Sequence, residues 1–179
     1  MNYPSWIIVH HTGGTANDPL ANTSNHTFEI VDNYHRQLWN FRSSLGHYIG
    51  YHYFIDKTGK VTQGRADTDE GAHTRGYNRS SIGVCLAGNF DSTVPTVEQE
   101  KALKRLLLQL AEKHNIGKSA VVPHRKFANK SCYGRRLPDN WAADLLDEQD
   151  IRTPLTEYSI MELIAELRRR LKDMKDKGK

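Results

Sequence analysis

Two stretches more than a hundred residues apart carry the side chains best suited to binding a metal. One is Trp6-Ile7-Ile8-Val9-His10-His11-Thr12. The other is Val121-Val122-Pro123-His124, with Cys132 eight positions further on and Lys130 two before the cysteine. Each begins as a β-branched run and ends on a metal-competent group. A buried strand that stops on histidine puts an imidazole at a sheet edge, where a cleft can form. Two such strands side by side, plus a thiolate returning from the loop after the second, would gather two nitrogens and a sulfur around one point. That is a zinc set with three protein ligands and an open fourth position, as in catalytic rather than structural sites. On these residues the chain is a candidate zinc hydrolase. Taken singly the pieces say less. A His-His pair at a strand end also suits hydrogen-bonded or exposed histidines, and a lone cysteine is equally an inert buried thiol.

The elements that must hold these groups read as an α/β domain. Residues 6–10 form a buried strand. Residues 12–26, rich in Gly, Asn and Thr and without periodicity, form a loop. Thr27 can cap a helix over 28–40, where Phe28, Val31, Tyr34 and Leu38 recur at helical spacing. Tyr51 to Asp56 is a strand, Lys57-Thr58-Gly59-Lys60 a turn, and Val61-Thr62-Gln63 the returning arm of a hairpin. Residues 81–87 form another apolar strand. Thr96-Val97-Glu98-Gln99 is a capping box opening a helix to His114, with Leu103, Leu106, Leu107 and Leu110 as its apolar face. A last strand follows over 120–123. Strands interleaved with helices, one hairpin among them, imply a central mixed sheet flanked by helices.

Size and charge narrow the classes. The 179 residues, 37% of them hydrophobic, suit one domain with one core. No apolar run approaches the roughly 20 residues of a membrane span. Met1-Asn2-Tyr3-Pro4-Ser5 has no basic region before an apolar core, so the expectation is synthesis in the cytoplasm without a signal peptide. Two cysteines make no disulfide framework. A net charge of +4 favours anionic surfaces, but no basic stripe interleaved with aromatics points to nucleic acid.

The tail, 147–179, is expected to be a linker and a basic amphipathic helix separate from a catalytic domain over 1–146. Ser159-Ile160-Met161-Glu162 is a second capping box, and Ile160, Leu163, Ile164, Leu167 and Leu171 form one stripe. Residues 157–179 carry seven basic and five acidic side chains. Docking on the domain or on a second copy is the first expectation. Contact with an anionic membrane or envelope is the second. The oligomeric state is left open.

Two further segments accompany the metal-competent ones: Gly50-Tyr51-His52-Tyr53-Phe54-Ile55, and Gly71-Ala72-His73-Thr74-Arg75-Gly76-Tyr77-Asn78-Arg79-Ser80-Ser81-Ile82-Gly83-Val84. With them, residues 5–146 resemble the zinc-dependent N-acetylmuramoyl-L-alanine amidases, the family of phage lysozyme-type endolysins and peptidoglycan recognition proteins. The resemblance implies their fold, a bound Zn2+ and a peptidoglycan or muropeptide substrate. It implies that His10 rather than His11 is the ligand, with His124 and Cys132 completing the set. It implies that Tyr51 assists the attacking water and that Lys130, lysine in phage-type members, is catalytic. Where the family usually continues Cys-Pro, this chain has Cys132-Tyr133-Gly134.

The chemistry is coherent without the resemblance. Amide hydrolysis needs a polarised carbonyl and a strong nucleophile at neutral pH, and an open-site zinc supplies both. Lys130 can stabilise an oxyanion and Tyr51 can hold water or pass a proton. Their ordinary alternatives are a solvated loop charge and cross-strand packing. His11, His73, Asn78 and Arg79 are candidate substrate contacts. Asn78 is also suited to shaping its loop, and Arg79 is equally a solvated side chain. Cys85, between Val84 and Leu86, reads as core, while His26, His35, His47 and His114 read as surface or internally satisfied. The leading expectation is a phage-type endolysin acting at the bacterial wall after release. The rivals are a cytosolic amidase that recycles muropeptides, and a non-catalytic binding module.

Overall fold

The structure, a computed structural model, describes residues 3–147. The expected helix at Ile160–Leu171 lies outside the described residues. The elements are β1 (Trp6–His11), α1 (Phe28–Trp39), β2 (Tyr53–Ile55), β3 (Val61–Gln63), β4 (Ser81–Leu86), α2 (Val97–His114), β5 (Val121–Pro123) and α3 (Trp141–Asp144). They form a five-stranded sheet in the order β3-β2-β4-β1-β5. β1 runs parallel to β4 and β5, β2 runs parallel to β4, and only the β2–β3 hairpin is antiparallel.

β1 lies inside the sheet, and Ile7, Ile8 and Val9 are fully buried. A central parallel strand is covered on both faces, which is why its run is continuously apolar. α2 begins with the capping box foreseen at Thr96 and Gln99. Gln99 does more than cap, since its amide donates to the carbonyls of Ala87 (2.8 Å) and Ile55 (3.4 Å). The helix start is thereby tied to the ends of β2 and β4. Its leucines, Leu103, Leu106, Leu107 and Leu110, pack on Ile7, Val9, Ile82, Val84 and Leu86. Each contributes roughly 1.5–3 kcal/mol by leaving water.

The other face is covered by α1 over a smaller cluster of Phe28, Val31, Ile49, Phe54, Cys85 and Ala87. The expected stripe of α1 holds for Phe28 and Val31 but not for Tyr34 and Leu38, which are 55% and 51% exposed. His35 is buried instead, because its Nδ1 accepts the Gly50 N–H at 2.9 Å and its ring lies against Trp39. Asp32, one turn earlier, accepts the N–H groups of Tyr48 and Ile49. α1 thus grips the chain entering Tyr51 by its backbone. Tyr51 and His52 accordingly form a bend, and β2 starts only at Tyr53. Among the described residues no helix is long and apolar enough to cross a membrane.

Candidate active site

Strand register brings the two distant stretches together. Ile8 pairs with Val122 and Val9 with Pro123, so His124, one residue on, emerges beside His10. The two rings are 4.5 Å apart at their centroids. β5 ends there in a 3-10 turn, His124–Lys126, and the loop beyond returns Cys132 to the same point. Its Sγ lies 3.7 Å from His10 Nδ1 and accepts the His11 N–H at 3.5 Å. The donor atoms of His10, His124 and Cys132 all lie within 4.8 Å of one another.

This donor set fits zinc. Tetrahedral bonds of about 2.0–2.1 Å to nitrogen and about 2.3 Å to sulfur imply a nitrogen–sulfur edge near ~3.5 Å, close to the observed separation. The protonation chemistry agrees. Burial, then the neighbouring His73 and His124, holds His10 well below the usual histidine range. Burial, then Lys130, lowers His124 to about 4. Both imidazoles are therefore neutral donors near pH 7. Burial pushes the Cys132 thiol up to about 12, against the pull of the His11 N–H and Lys130. The thiolate therefore forms when a cation shares the site.

Strand alternation separates the adjacent histidines. His11 lies against Phe90, and its Nδ1 accepts the Phe90 N–H at 2.8 Å. It belongs to the cleft wall but not to the donor cluster. Tyr51 packs 5.0 Å from the His10 ring. Burial, then the nearby Cys85 and Cys132, keeps its phenol far above the ordinary tyrosine range. Lys130 is exposed and lines the same cleft. The cleft measures about 1090 Å³, and Trp39, Phe41, Lys130 and Ser131 are among the residues that line it. Such a volume exceeds the roughly 300–1,000 Å³ typical of small-molecule sites.

The candidate substrate contacts divide. His73 lines the cleft but is engaged within the protein, its Nδ1 3.0 Å from His10 Nε2. Asn78 also borders the cleft, yet its Oδ1 accepts the N–H groups of His73 and Thr74. Arg79 is turned outward, its side chain 80% exposed and paired with Glu70 at 3.0 Å. Arg75 reaches the cleft instead.

Two arginines escaped the sequence reading. Arg65, 1% exposed, donates to the carbonyls of Ile49, Phe41 and Glu70 and lies over the Phe41 ring. It ties together three segments of the cleft wall. Arg125 donates to the carbonyls of Ser131, Gly134 and Leu137 and pairs with Asp139. It holds the loop that carries Lys130 and Cys132. The departure at Tyr133 is accommodated here. Its ring is fully buried against Trp141 and its hydroxyl reaches the carbonyls of Pro138 and Asp139.

The chain resembles known proteins in both sequence and fold. The family described as N-acetylmuramoyl-L-alanine amidase matches residues 1–135. Peptidoglycan-recognition protein SD of Drosophila simulans is 35% identical over 137 residues, covering 75% of this chain and 69% of that protein. The endolysin of Escherichia phage T7 is 35% identical over 108 residues, covering 57% of this chain and 70% of the endolysin. Among solved structures, the endolysin N-acetylmuramoyl-L-alanine amidase LysCS from Clostridium intestinale URNW superposes with a TM-score of 0.63 at 28% identity. That match covers 76% of this chain and 79% of the other.

Proposed function

The chain belongs to the N-acetylmuramoyl-L-alanine amidase family, and on that premise we propose that it is a zinc-dependent peptidoglycan hydrolase. It cleaves the amide between the muramic acid lactyl group and L-alanine of the stem peptide. The observation that carries this reading is the convergence of His10, His124 and Cys132 at the floor of a cleft also lined by Tyr51 and Lys130.

When bound, zinc would polarise the scissile carbonyl and make water nucleophilic near neutral pH. The protein's own groups do the rest. Tyr51, whose burial keeps the phenol protonated, serves as a hydrogen-bond donor rather than a base, holding the attacking water or the developing oxyanion. Lys130 sets a positive charge beside that oxyanion. Arg125 keeps Lys130 and Cys132 in register, and the α1 grip on residues 48–50 keeps Tyr51 in place.

Endolysins among the relatives support a lytic role at the bacterial cell wall. Peptidoglycan recognition proteins among them keep a binding-only reading in play, but the complete donor set favours catalysis. The test is to incubate purified peptidoglycan with the protein, with and without chelator, and identify released fragments by mass spectrometry. Free stem peptides beginning with L-alanine, lost on chelation and restored by zinc, are expected. Binding without release, or release untouched by chelator, would overturn the proposal. Activity on soluble muropeptides but not on the polymer would favour recycling over lysis.

A further inference from the structure

His73 lies at the cleft, yet its ring is engaged on several sides. Its Nδ1 is 3.0 Å from His10 Nε2 and 3.1 Å from Thr74 Oγ1. Its Nε2 faces Ser81 Oγ at 3.5 Å, and that hydroxyl donates to the Tyr77 carbonyl at 2.7 Å. The ring is seated against two glycines. A Cβ on Gly83 would come within 2.7 Å of it, and one on Gly71 within 2.5 Å. Any larger residue at either position would displace the ring. The backbone N–H of His73 is held by Asn78 Oδ1.

What the ring meets is the far nitrogen of a candidate metal ligand. His10 turns Nδ1 toward Cys132 Sγ and Nε2 toward His73. A neutral imidazole carries one proton, so Nδ1 can donate its lone pair to a metal only if the proton sits on Nε2. That proton then needs an acceptor, and His73 Nδ1 is placed to be one. Only the last link, Ser81 Oγ–H to the Tyr77 carbonyl, has a fixed direction. With the proton of His10 on Nε2 the others follow as His73 Nε2–H to Ser81 Oγ and His10 Nε2–H to His73 Nδ1, which requires the Thr74 hydroxyl to point its proton away from that nitrogen. Metal-bound histidines commonly give this second proton to a carboxylate or a carbonyl. A neutral imidazole orients the ligand without adding charge.

We propose that His73 is a positioning residue for the metal centre: it accepts the Nε2–H of His10 and so fixes the tautomer that leaves Nδ1 free to bind zinc. The inference rests on the zinc reading of His10, His124 and Cys132, and parent zinc binding is the control that separates the two. The experiment measures equilibrium zinc affinity by competition with a chromophoric chelator, using the whole chain, His73→Phe and His73→Gln. Phenylalanine keeps a ring between the glycines and loses the acceptor, whereas glutamine restores an acceptor. His73→Phe should bind zinc roughly 10–100-fold more weakly, with a shifted visible spectrum when loaded with cobalt(II). His73→Gln should recover most of the loss. Unchanged zinc affinity in both variants overturns the proposal, above all if KM for a soluble muramyl peptide rises, because His73 then contacts substrate. Equal losses in both variants overturn it too, since the acceptor is then not the cause. A parent that binds no zinc overturns the metal reading itself, and the proposal with it. If His73→Phe does not fold, nitrogen-15 NMR of the zinc-loaded parent decides: a proton on His10 Nε2 is expected, and a proton on Nδ1 refutes it.

Discussion

The two faces of the sheet follow different rules. The face under α2 and α3 is an apolar core, with Leu103, Leu106, Leu107 and Leu110 set against Ile7, Val9, Ile82 and Val84. The face under α1 has a smaller apolar cluster, and the cleft that opens beside it is lined by His10, His73, His124, Tyr51 and Cys132. The same strands serve both. β1 sends Val9 into the large core, and the next residue, His10, into the donor cluster. Side chains of a strand alternate between faces, so one element can carry stability on one side and chemistry on the other. The costs differ accordingly. Buried histidines and a buried thiol are held against their preferred solvation, and the leucine face supplies the stability that permits it.

The sharpest way to break this comparison is Cys132→Ala. Activity should fall to background and zinc should bind far more weakly, through the two histidines alone, while the melting temperature of the metal-free protein changes little. A variant that unfolds would show that the cleft face is structural as well. Leu107→Ala is the reverse case. It should cost about 2–5 kcal/mol in denaturant unfolding while the folded protein keeps its zinc affinity. Loss of zinc binding by folded Leu107→Ala would join the two faces. Tyr51→Phe and Lys130→Ala sharpen the assignment within the cleft. Each should lower kcat by roughly 10²–10³ with zinc content unchanged. Near-parental turnover in both would remove them from the chemistry.

The smallest effect concerns a brace away from the cleft. Asp67 accepts hydrogen bonds from Tyr53 (2.6 Å), Lys113 (2.8 Å) and His114 (2.8 Å), joining β2 to the end of α2. Burial works to raise its pKa, but the bonds from Lys113, Tyr53 and His114 outweigh it and hold the carboxyl below its ordinary 3.8. A carboxyl lowered by folding stabilises the protein above its unfolded value and loses that contribution as pH falls through the folded one. Asp67→Asn should therefore cost up to about 1–3 kcal/mol near neutral pH. The gap to the parent should close below about pH 4. A gap that is constant with pH would mean that the charge contributes nothing.

How far the sequence reaches depends on the range of each signal. The capping box at Thr96 and the Leu103–Leu110 face are local patterns, and the structure has them where expected. The two histidine-bearing strands are also local, although β1 runs one residue further, to His11, and β5 spans only Val121–Pro123 with His124 in the turn after it. The environment of His73 was not readable, because its partner His10 is 63 residues away and no spacing links them. Arg65 and Arg125 were missed for a related reason. They bind backbone carbonyls, which any residue offers, so no partner type marks them in a sequence. Tyr34 and Leu38 misled because helical spacing records apolarity rather than burial. The polar His35 took the inward place through one hydrogen bond to Gly50. α3 is only four residues long, too short for a period to show.

X-ray absorption at the zinc edge of the loaded protein tests the metal centre most directly. Two nitrogen ligands at about 2.0–2.1 Å and one sulfur at about 2.3 Å are predicted, with the sulfur absent in Cys132→Ala. A zinc shell without sulfur in the parent, or one that keeps its sulfur in Cys132→Ala, would contradict the assignment of His10, His124 and Cys132.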